Sequence, residues 1–413
     1  MKGGEWLTGL DEKRIVPGLR NITELMKRLG DPQNDYRTIH VAGSDGKGSV
    51  CEMVYSVLRF SGIRAGKFSS PYIEDRNECI SVDGISISDE DLDTILNEVR
   101  SKADAMKGEG YECTFFEVLT AAAYLWFSRC GVEYAVIEAG MGGTLDATNV
   151  IIPEVAVITN VSMEHTKYLG NTLGEVASHK AGIMKAGVQT VTSAKGEALD
   201  VIKKRAEEIG SKLTVVRSGE LKGMDVYGSD VIYGGESYRI GIPGSYQCEN
   251  MALAIETVRK LPMADRLEPH IREGLRESRL PGRMERILQT PIVIDGTHTV
   301  AGMTALCRDI KELYDKVLVV VGILSDKNIE GMMGLLSGIS NGMIVTAPDS
   351  ERALPADKLG EIASKYLDEV VVIENEKDAL DYAMETANVR TILVTGSFRM
   401  VEGAKRWLRT RSA

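Results

Sequence analysis

The sequence predicts an α/β protein of two unequal domains, a larger N-terminal one built on a mostly parallel sheet and a smaller C-terminal one. Three observations predict it. The 413 residues exceed what one hydrophobic core usually holds. Short β-branched runs alternate with amphipathic stretches for most of the length. The alternation restarts near residue 291, after "SRLPGRMER" (278–286), which is the expected domain junction.

In chain order, "RTIHVA" (37–42) reads as a strand that ends at a glycine loop. "SVCEMVYSVLRF" (49–60) follows as a helix with Val50, Met53, Val54, Val57 and Leu58 on one face. "TFFEVLTAAAYLWFSRC" (114–130) is a second helix, opened by a capping box of Thr114 and Glu117. "EYAVIE" (133–138), "EVAVIT" (154–159) and "VQTVTS" (188–193) are further strands. "MDVYGSDVIYGGESYRIGI" (224–242) breaks the pattern as an antiparallel hairpin turning at Gly234-Gly235. Beyond the junction, "PIVID", "KVLVVVG", "GMIVTA", "EVVVI" and "TILVTG" are apolar throughout, as strands buried on both faces of a parallel sheet are. Ligands of such folds bind beyond the carboxyl ends of the strands or between domains.

Composition narrows the function. Hydrophobic content of 43% and charged content of 26% suit a soluble globular chain. No apolar run approaches the roughly 20 residues that span a bilayer. "MKGGEWLTGLDEKR" lacks the apolar core of a signal peptide, so a cytoplasmic location is expected. Six cysteines (51, 79, 113, 130, 248, 307) without C-x-x-C pairing argue against zinc sites and a disulfide framework. A net charge of −11 suits neither nucleic acid nor an anionic membrane, while small anions can still be held by local cations and helix N-termini.

"HVAGSDGKGSV" (40–50) has the setting of a phosphate loop, with a strand before it and a helix after it. Its glycines let backbone N–H groups turn toward an anion, Lys47 supplies a point charge, and Ser49 can reach phosphate or magnesium. The spacing differs from G-x-x-x-x-G-K-[ST], because Gly48 separates lysine from hydroxyl. The plain alternative is a glycine-rich turn with Ser49 as an N-cap. Glu138 closes an apolar strand before "AGMGG", where an acid beside a magnesium would stand; the alternative is a solvated strand-end glutamate.

From these motifs outward the chain resembles folylpolyglutamate synthase/dihydrofolate synthase, the folate branch of the Mur-type ATP-dependent amide ligases, whose phosphate loop has the same extra glycine. The resemblance runs through "VPGLRNITELMKRLGDPQ", "FSSPYIEDRNECISVDG", "TFFEVLTAAAYLWF", "IEAGMGGTLDATNV", "VSMEHTKYLG", "HKAGIMKAG", "GSYQCENMALAI", "LPGRMERI", "VIDGTHT", "VGILSDKN" and "VTGSFRMV", in family order. It implies a P-loop ATPase-like domain over 1–285, carrying ATP and substrate, and a Rossmann-like α/β domain over 286–413. It implies ATP and Mg2+, a pterin or folate and L-glutamate as small-molecule partners, no nucleic acid, no membrane, and a monomer.

The resemblance also implies roles. Asp45, Gly46, Lys47, Gly48 and Ser49 hold ATP, joined by Asn250, Arg283, Asp295 and His298. Ser70 and Glu138 ligate one magnesium and His165 a second, with Lys180 as an anionic oxygen ligand if carbamylated. Lys47, His165 and Lys180 form the catalytic set. Phe116, Glu117, Asp146 and Ala147 lie beside the pterin. Without the family, Lys180 reads as a helix-surface lysine, Glu117 as a capping-box residue and His298 as a structural histidine. The sequence departs from the family at Asp45, Tyr72, Thr144, Tyr246, Thr299 and Val300, several of them near the substrate sites. A sibling ligase acting on another pterin-like or coenzyme carboxylate therefore stays open. A nucleotide-driven switch without ligase activity would not need the metal set, and a dinucleotide oxidoreductase would need G-x-G-x-x-G where "DGTHTVAGM" stands. Which glutamylation step is catalysed, and how long a chain is made, stay open too.

Overall fold

The described residues form seventeen strands, and the apolar runs fall within them. A computed structural model describes residues 3–12, 14–387 and 391–412; Met1, Lys2 and Lys13 of the N-terminal stretch lie outside them. Contacts divide the chain into two compact units, Met1–Gly219 with Glu249–Ser278, and Glu220–Cys248 with Arg279–Ala413.

In the first unit the strands are β1 (Arg37–Ala42), β2 (Ala65–Phe68), β3 (Ile80–Val82), β4 (Ile85–Ser86), β5 (Tyr134–Glu138), β6 (Val155–Ile158), β7 (Gln189–Thr192) and β8 (Lys212–Val215). They form one sheet in the order β4-β3-β2-β5-β1-β6-β7-β8. From β2 to β8 every pairing is parallel, with Val41 opposite Glu138 and Ala42 opposite Ile158. β1 lies between β5 and β6, so chain order reverses on its two sides, and a crevice opens beyond its carboxyl end. The helices Lys47–Phe60 and Phe115–Cys130 are buried along most of their length because both pack into the core of this unit. Thr114 and Glu117 form the expected capping box.

One expectation is corrected. The first helix begins at Lys47, two residues before the expected start, with Gly46 as its N-cap at φ +84° and no side-chain cap. Ser49 is therefore not an N-cap; Lys47, Gly48 and Ser49 form the first turn, and a single glycine there costs only about 1 kcal/mol.

In the second unit the hairpin gains a third strand. β9 (Glu220–Asp225), β10 (Gly228–Tyr233) and β11 (Glu236–Ile240) are antiparallel, with the turn at Gly234-Gly235 where both φ angles are positive. β12 (Glu285–Arg286), β13 (Ile292–Ile294), β14 (Val317–Val321), β15 (Ser340–Ala347), β16 (Val370–Asn375) and β17 (Ile392–Thr395) form a sheet in the order β12-β13-β17-β14-β15-β16, parallel except at β12. Val319, Val321, Val345 and Leu393 anchor its core with Met303, Leu306, Met332 and Leu336. Among the described residues no helix is long and apolar enough to cross a membrane.

Candidate active site

Four neighbouring strand ends deliver the chemistry of the first unit. The loop after β1 is Gly43–Gly46 and runs straight into the helix that starts at Lys47. It is held from β6: the Ser44 N–H donates to the Asn160 carbonyl (2.9 Å), the Asp45 N–H donates to Asn160 Oδ1 (2.9 Å), and Thr159 Oγ1 donates to the Asp45 carbonyl (2.6 Å). Gly43 has φ +148° and a Cβ there would lie 1.7 Å from Thr159 Oγ1, so only glycine fits. Lys47 Nζ donates to the carbonyls of Gly43 (3.0 Å) and Ser44 (3.1 Å), which places the ammonium at the mouth of its own loop. Asn250 packs on Gly46, where a Cβ would lie 2.3 Å from Asn250 Oδ1. The Gln247–Arg259 helix thereby joins Asn250 to the phosphate loop although two hundred positions separate them.

Glu138 ends β5, in register with Val41 of β1, and is only 5% exposed. The reading of a solvated strand-end glutamate is thus overturned. Ser70 follows β2, whose Phe68 pairs with Ile137, so it stands one strand further along the same edge. His165 caps the short Thr166–Leu169 helix after β6 in the left-handed region, with φ +45°, and is exposed.

Lys180 is the largest departure from a local reading of the sequence. Its side chain is fully buried and pairs with Glu164 at 2.5 Å, so the surface-lysine reading fails. Burial lowers the Lys180 ammonium's pKa and Lys47 adds to that, while Glu164 and Asp45 oppose it; the net shift is downward. Burial pushes the Glu164 carboxyl up, but Lys180 and Lys47 outweigh it and hold the carboxyl below its ordinary value. These couplings bring Lys180, Glu164, Lys47, Ser44 and Asp45 into one cluster at the loop mouth.

Among the described residues no three His, Cys, Asp or Glu side chains converge as a ready-made metal cage. Magnesium needs no such cage, since it is commonly held by one or two protein oxygens together with substrate phosphates. The buried carboxylate of Glu138 and the nearby hydroxyls of Ser49 and Ser70 are hard donors of that kind.

Next to these stands an apolar wall. The Phe116 ring is 5.9 Å from Phe68 and lies against Gly140 in the loop after β5. Glu117 faces inward: its Oε2 accepts from Thr114 N (2.8 Å) and Thr114 Oγ1 (3.0 Å), and burial raises its pKa against these bonds. Asp146 is buried and accepts from the N–H groups of Met141 (2.7 Å) and Thr148 (3.0 Å), so its carboxylate shapes the loop after β5; burial raises its pKa also. Ala147 opens the buried turn Ala147–Asn149. Of these four, Phe116 alone is partly exposed. Thr144 is held by the carbonyl of His179 through both its N–H (2.8 Å) and its hydroxyl (3.0 Å).

The second unit gathers its own residues. The Arg283 guanidinium lies 4.7 Å over the Phe398 ring, and the His298 ring is 5.7 Å from the same phenyl. His298 Nδ1 is 2.9 Å from the Gly296 carbonyl. Asp295 is fully buried and accepts from the N–H groups of Met284 (2.9 Å) and Thr297 (2.8 Å), so it fixes the loops that carry Arg283 and His298. Thr299 caps the Val300–Tyr314 helix by accepting from Gly302 N (3.1 Å).

Sequence reading missed Glu164, Asn160, Thr159, Phe68 and Phe398. Glu164 lay within a quoted motif, next to His165, but nothing local marks it as the partner of a lysine in the Leu173–Ala181 helix.

The chain matches two family models: Mur ligase middle domain over residues 41–258 and Mur ligase, glutamate ligase domain over 282–398. It is 32% identical to dihydrofolate synthase/folylpolyglutamate synthase of Bacillus subtilis, over 98% of each chain. It is 34% identical to folylpolyglutamate synthase of Lacticaseibacillus casei, over 94% of each. The crystal structure of Mycobacterium tuberculosis folylpolyglutamate synthase complexed with ADP and AMPPCP superposes with a TM-score of 0.87 at 29% identity, covering 98% of this chain and 96% of that one.

Proposed function

Because this chain belongs to the Mur ligase family, in its folylpolyglutamate synthase/dihydrofolate synthase branch, we propose a residue-by-residue account of how it ligates L-glutamate at the expense of ATP. The acceptor is a carboxylate of dihydropteroate, of reduced folyl-(poly)glutamate, or of both. The carboxylate oxygen attacks the γ-phosphorus, ADP leaves, and an acyl phosphate forms. The glutamate amine then attacks the acyl carbon, loses a proton, and expels inorganic phosphate.

The observation that carries this reading is the cluster at the carboxyl ends of β2, β5, β1 and β6: a glycine cradle, a buried acid and a buried lysine beside Lys47. Gly46, Lys47, Gly48 and Ser49 would hold the β- and γ-phosphates, with Asp45 on the rim and Asn250 behind Gly46. Magnesium, when bound, neutralises charge on the phosphate oxygens during transfer. Ser70 and Glu138 would hold one ion and His165 a second. Lys180 loses affinity for its proton through burial, which favours the neutral amine that adds CO2 to form a carbamate and release a proton. The carbamate would be an anion near the Glu164 carboxylate, and a metal ion held by His165 would offset that repulsion. Phe116 would stack on the pterin ring, while Glu117, Asp146 and Ala147 shape its wall from behind. Arg283 and His298, positioned by Asp295, are the residues of the second unit assigned to the nucleotide. Six unpaired cysteines fit a reducing, cytoplasmic setting.

The test is a product assay. The protein with ATP, magnesium and L-glutamate is offered dihydropteroate and tetrahydrofolate separately, and products are read by mass spectrometry. One added glutamyl unit on dihydropteroate establishes the synthase step, and added units on tetrahydrofolate the polyglutamate step. No gain of mass on either, with ATP still bound, removes both acceptors.

A further inference from the structure

We propose that a cleft at the far end of the phosphate-loop helix is a second anion-binding site, suited to a small carboxylate- or phosphate-bearing molecule with a flat apolar part. The Lys47–Phe60 helix has 14 residues, so its last turn stands about 20 Å from the phosphate loop. There a cleft of about 440 Å³ is lined by Arg59, Phe60, Gly62, Ile63, Arg64 and Asp83. Its volume lies within the range of small-molecule sites, roughly 300–1,000 Å³.

Two guanidiniums without an ion pair set its chemistry, although the Asp83 carboxylate shares the lining and Glu133 Oε1 accepts from the Arg64 backbone N–H (3.1 Å). The chain carries a net charge of −11, and arginines such as Arg28, Arg239 and Arg259 each find a carboxylate. Among the described residues neither Arg59 nor Arg64 has a carboxylate within ion-pair distance. The Arg59 guanidinium is 5.3 Å from the Tyr55 ring and lies against Gly84, where a Cβ would be 2.2 Å from Nη2. Arg64 has the Cys130 thiol as a neighbour, a weak acceptor that leaves most of its donors unspent.

The wall is preorganised. Asp83 at φ +50° accepts from Ala65 N through Oδ1 (2.9 Å) and donates its own N–H to the Ala65 carbonyl (2.9 Å). Gly84 N–H donates to Tyr55 Oη (2.6 Å), which fixes the ring that Arg59 covers. Arginine placed this way loses little entropy on taking a planar or tetrahedral anion. The apolar surface is Phe60, 38% exposed at the helix end, beside buried Ile63. Carboxylate and phosphate share this recognition, so the two are separated in the test.

Phenyl phosphate and benzoate serve as probes in calorimetric titrations of the full chain, compared with Lys47→Ala and with the double variant Arg59→Ala, Arg64→Ala. The expected result is a binding event that persists in Lys47→Ala and weakens at least about tenfold in the double variant. The stronger probe names the anion. Should the double variant fail to fold by circular dichroism, exposed Arg64→Ala alone must weaken the same event. Binding that the arginine changes leave intact, binding lost only with Lys47, or none at all for either probe overturns the proposal.

Discussion

Gly46 meets two demands with one residue. Its φ of +84° is costly for a side-chain-bearing residue, by about 1–2 kcal/mol, and its missing Cβ makes room for Asn250 Oδ1. Gly46→Ala is expected to push Asn250 aside, weaken ATP binding at least about tenfold by calorimetry, and lower the melting temperature by a few degrees. Unchanged affinity would show that the loop and Asn250 do not act together. Lys180→Ala makes a sharper test, because it leaves Glu164 partly buried without its cation, at a cost of about 3 kcal/mol. It should lower kcat by about a hundredfold or more, and acetate in the buffer should restore part of the rate if a carboxylate is the working group there. Full turnover in that variant would remove Lys180 from the mechanism. Lys47, Ser49 and Glu138 were legible because each sits next to a strand end in the chain. Lys180 was legible only through the family, since its burial depends on Glu164, a helix away. Glu117 and Asp146 show the reverse: recognisable motifs whose carboxylates are occupied by backbone N–H groups.

Elements were readable where burial is two-sided or the turn chemistry is specific. β14 and β17 are continuous apolar runs, and Gly234-Gly235 marks its turn. β9 was missed because "ELKGMD" has no apolar run and only partial burial. β3 and β4 are too short for a period to register. The Glu376–Thr386 helix hides a cost no pattern reveals. Glu376 at its start lies against Gly403, its Oε1 has no hydrogen-bond partner among the described residues, and burial raises its carboxyl to about 8. A folded-state value above the unfolded 4.5 means full stability below about pH 4.5 and a loss that grows as pH rises through 8. Glu376→Gln should therefore stabilise the protein by about 2 kcal/mol at pH 7 in urea titrations and leave it unchanged near pH 4. Equal effects at both pH values would contradict this.

The molecule as a whole is two units whose chain crosses between them at residues 219, 248 and 278. The Glu220–Cys248 insertion is tied to its unit through Asp309, fully buried, which accepts from Ser245 N (2.7 Å) and Ser245 Oγ (2.9 Å). Asp309→Ala should cost about 3 kcal/mol by leaving those donors unmet. In hydrogen exchange, protection should fall across both 220–248 and the segment after 279, with the first unit unaffected. Loss confined to the neighbourhood of residue 309 would refute the shared unit. The same three crossings set an order of events on the ribosome. Asn250 is made only after the whole three-stranded insertion, so a nascent chain that already has its glycine loop, Lys47 and Lys180 still lacks the side chain that packs on Gly46. Completion of the first unit is thus postponed until part of the second has emerged.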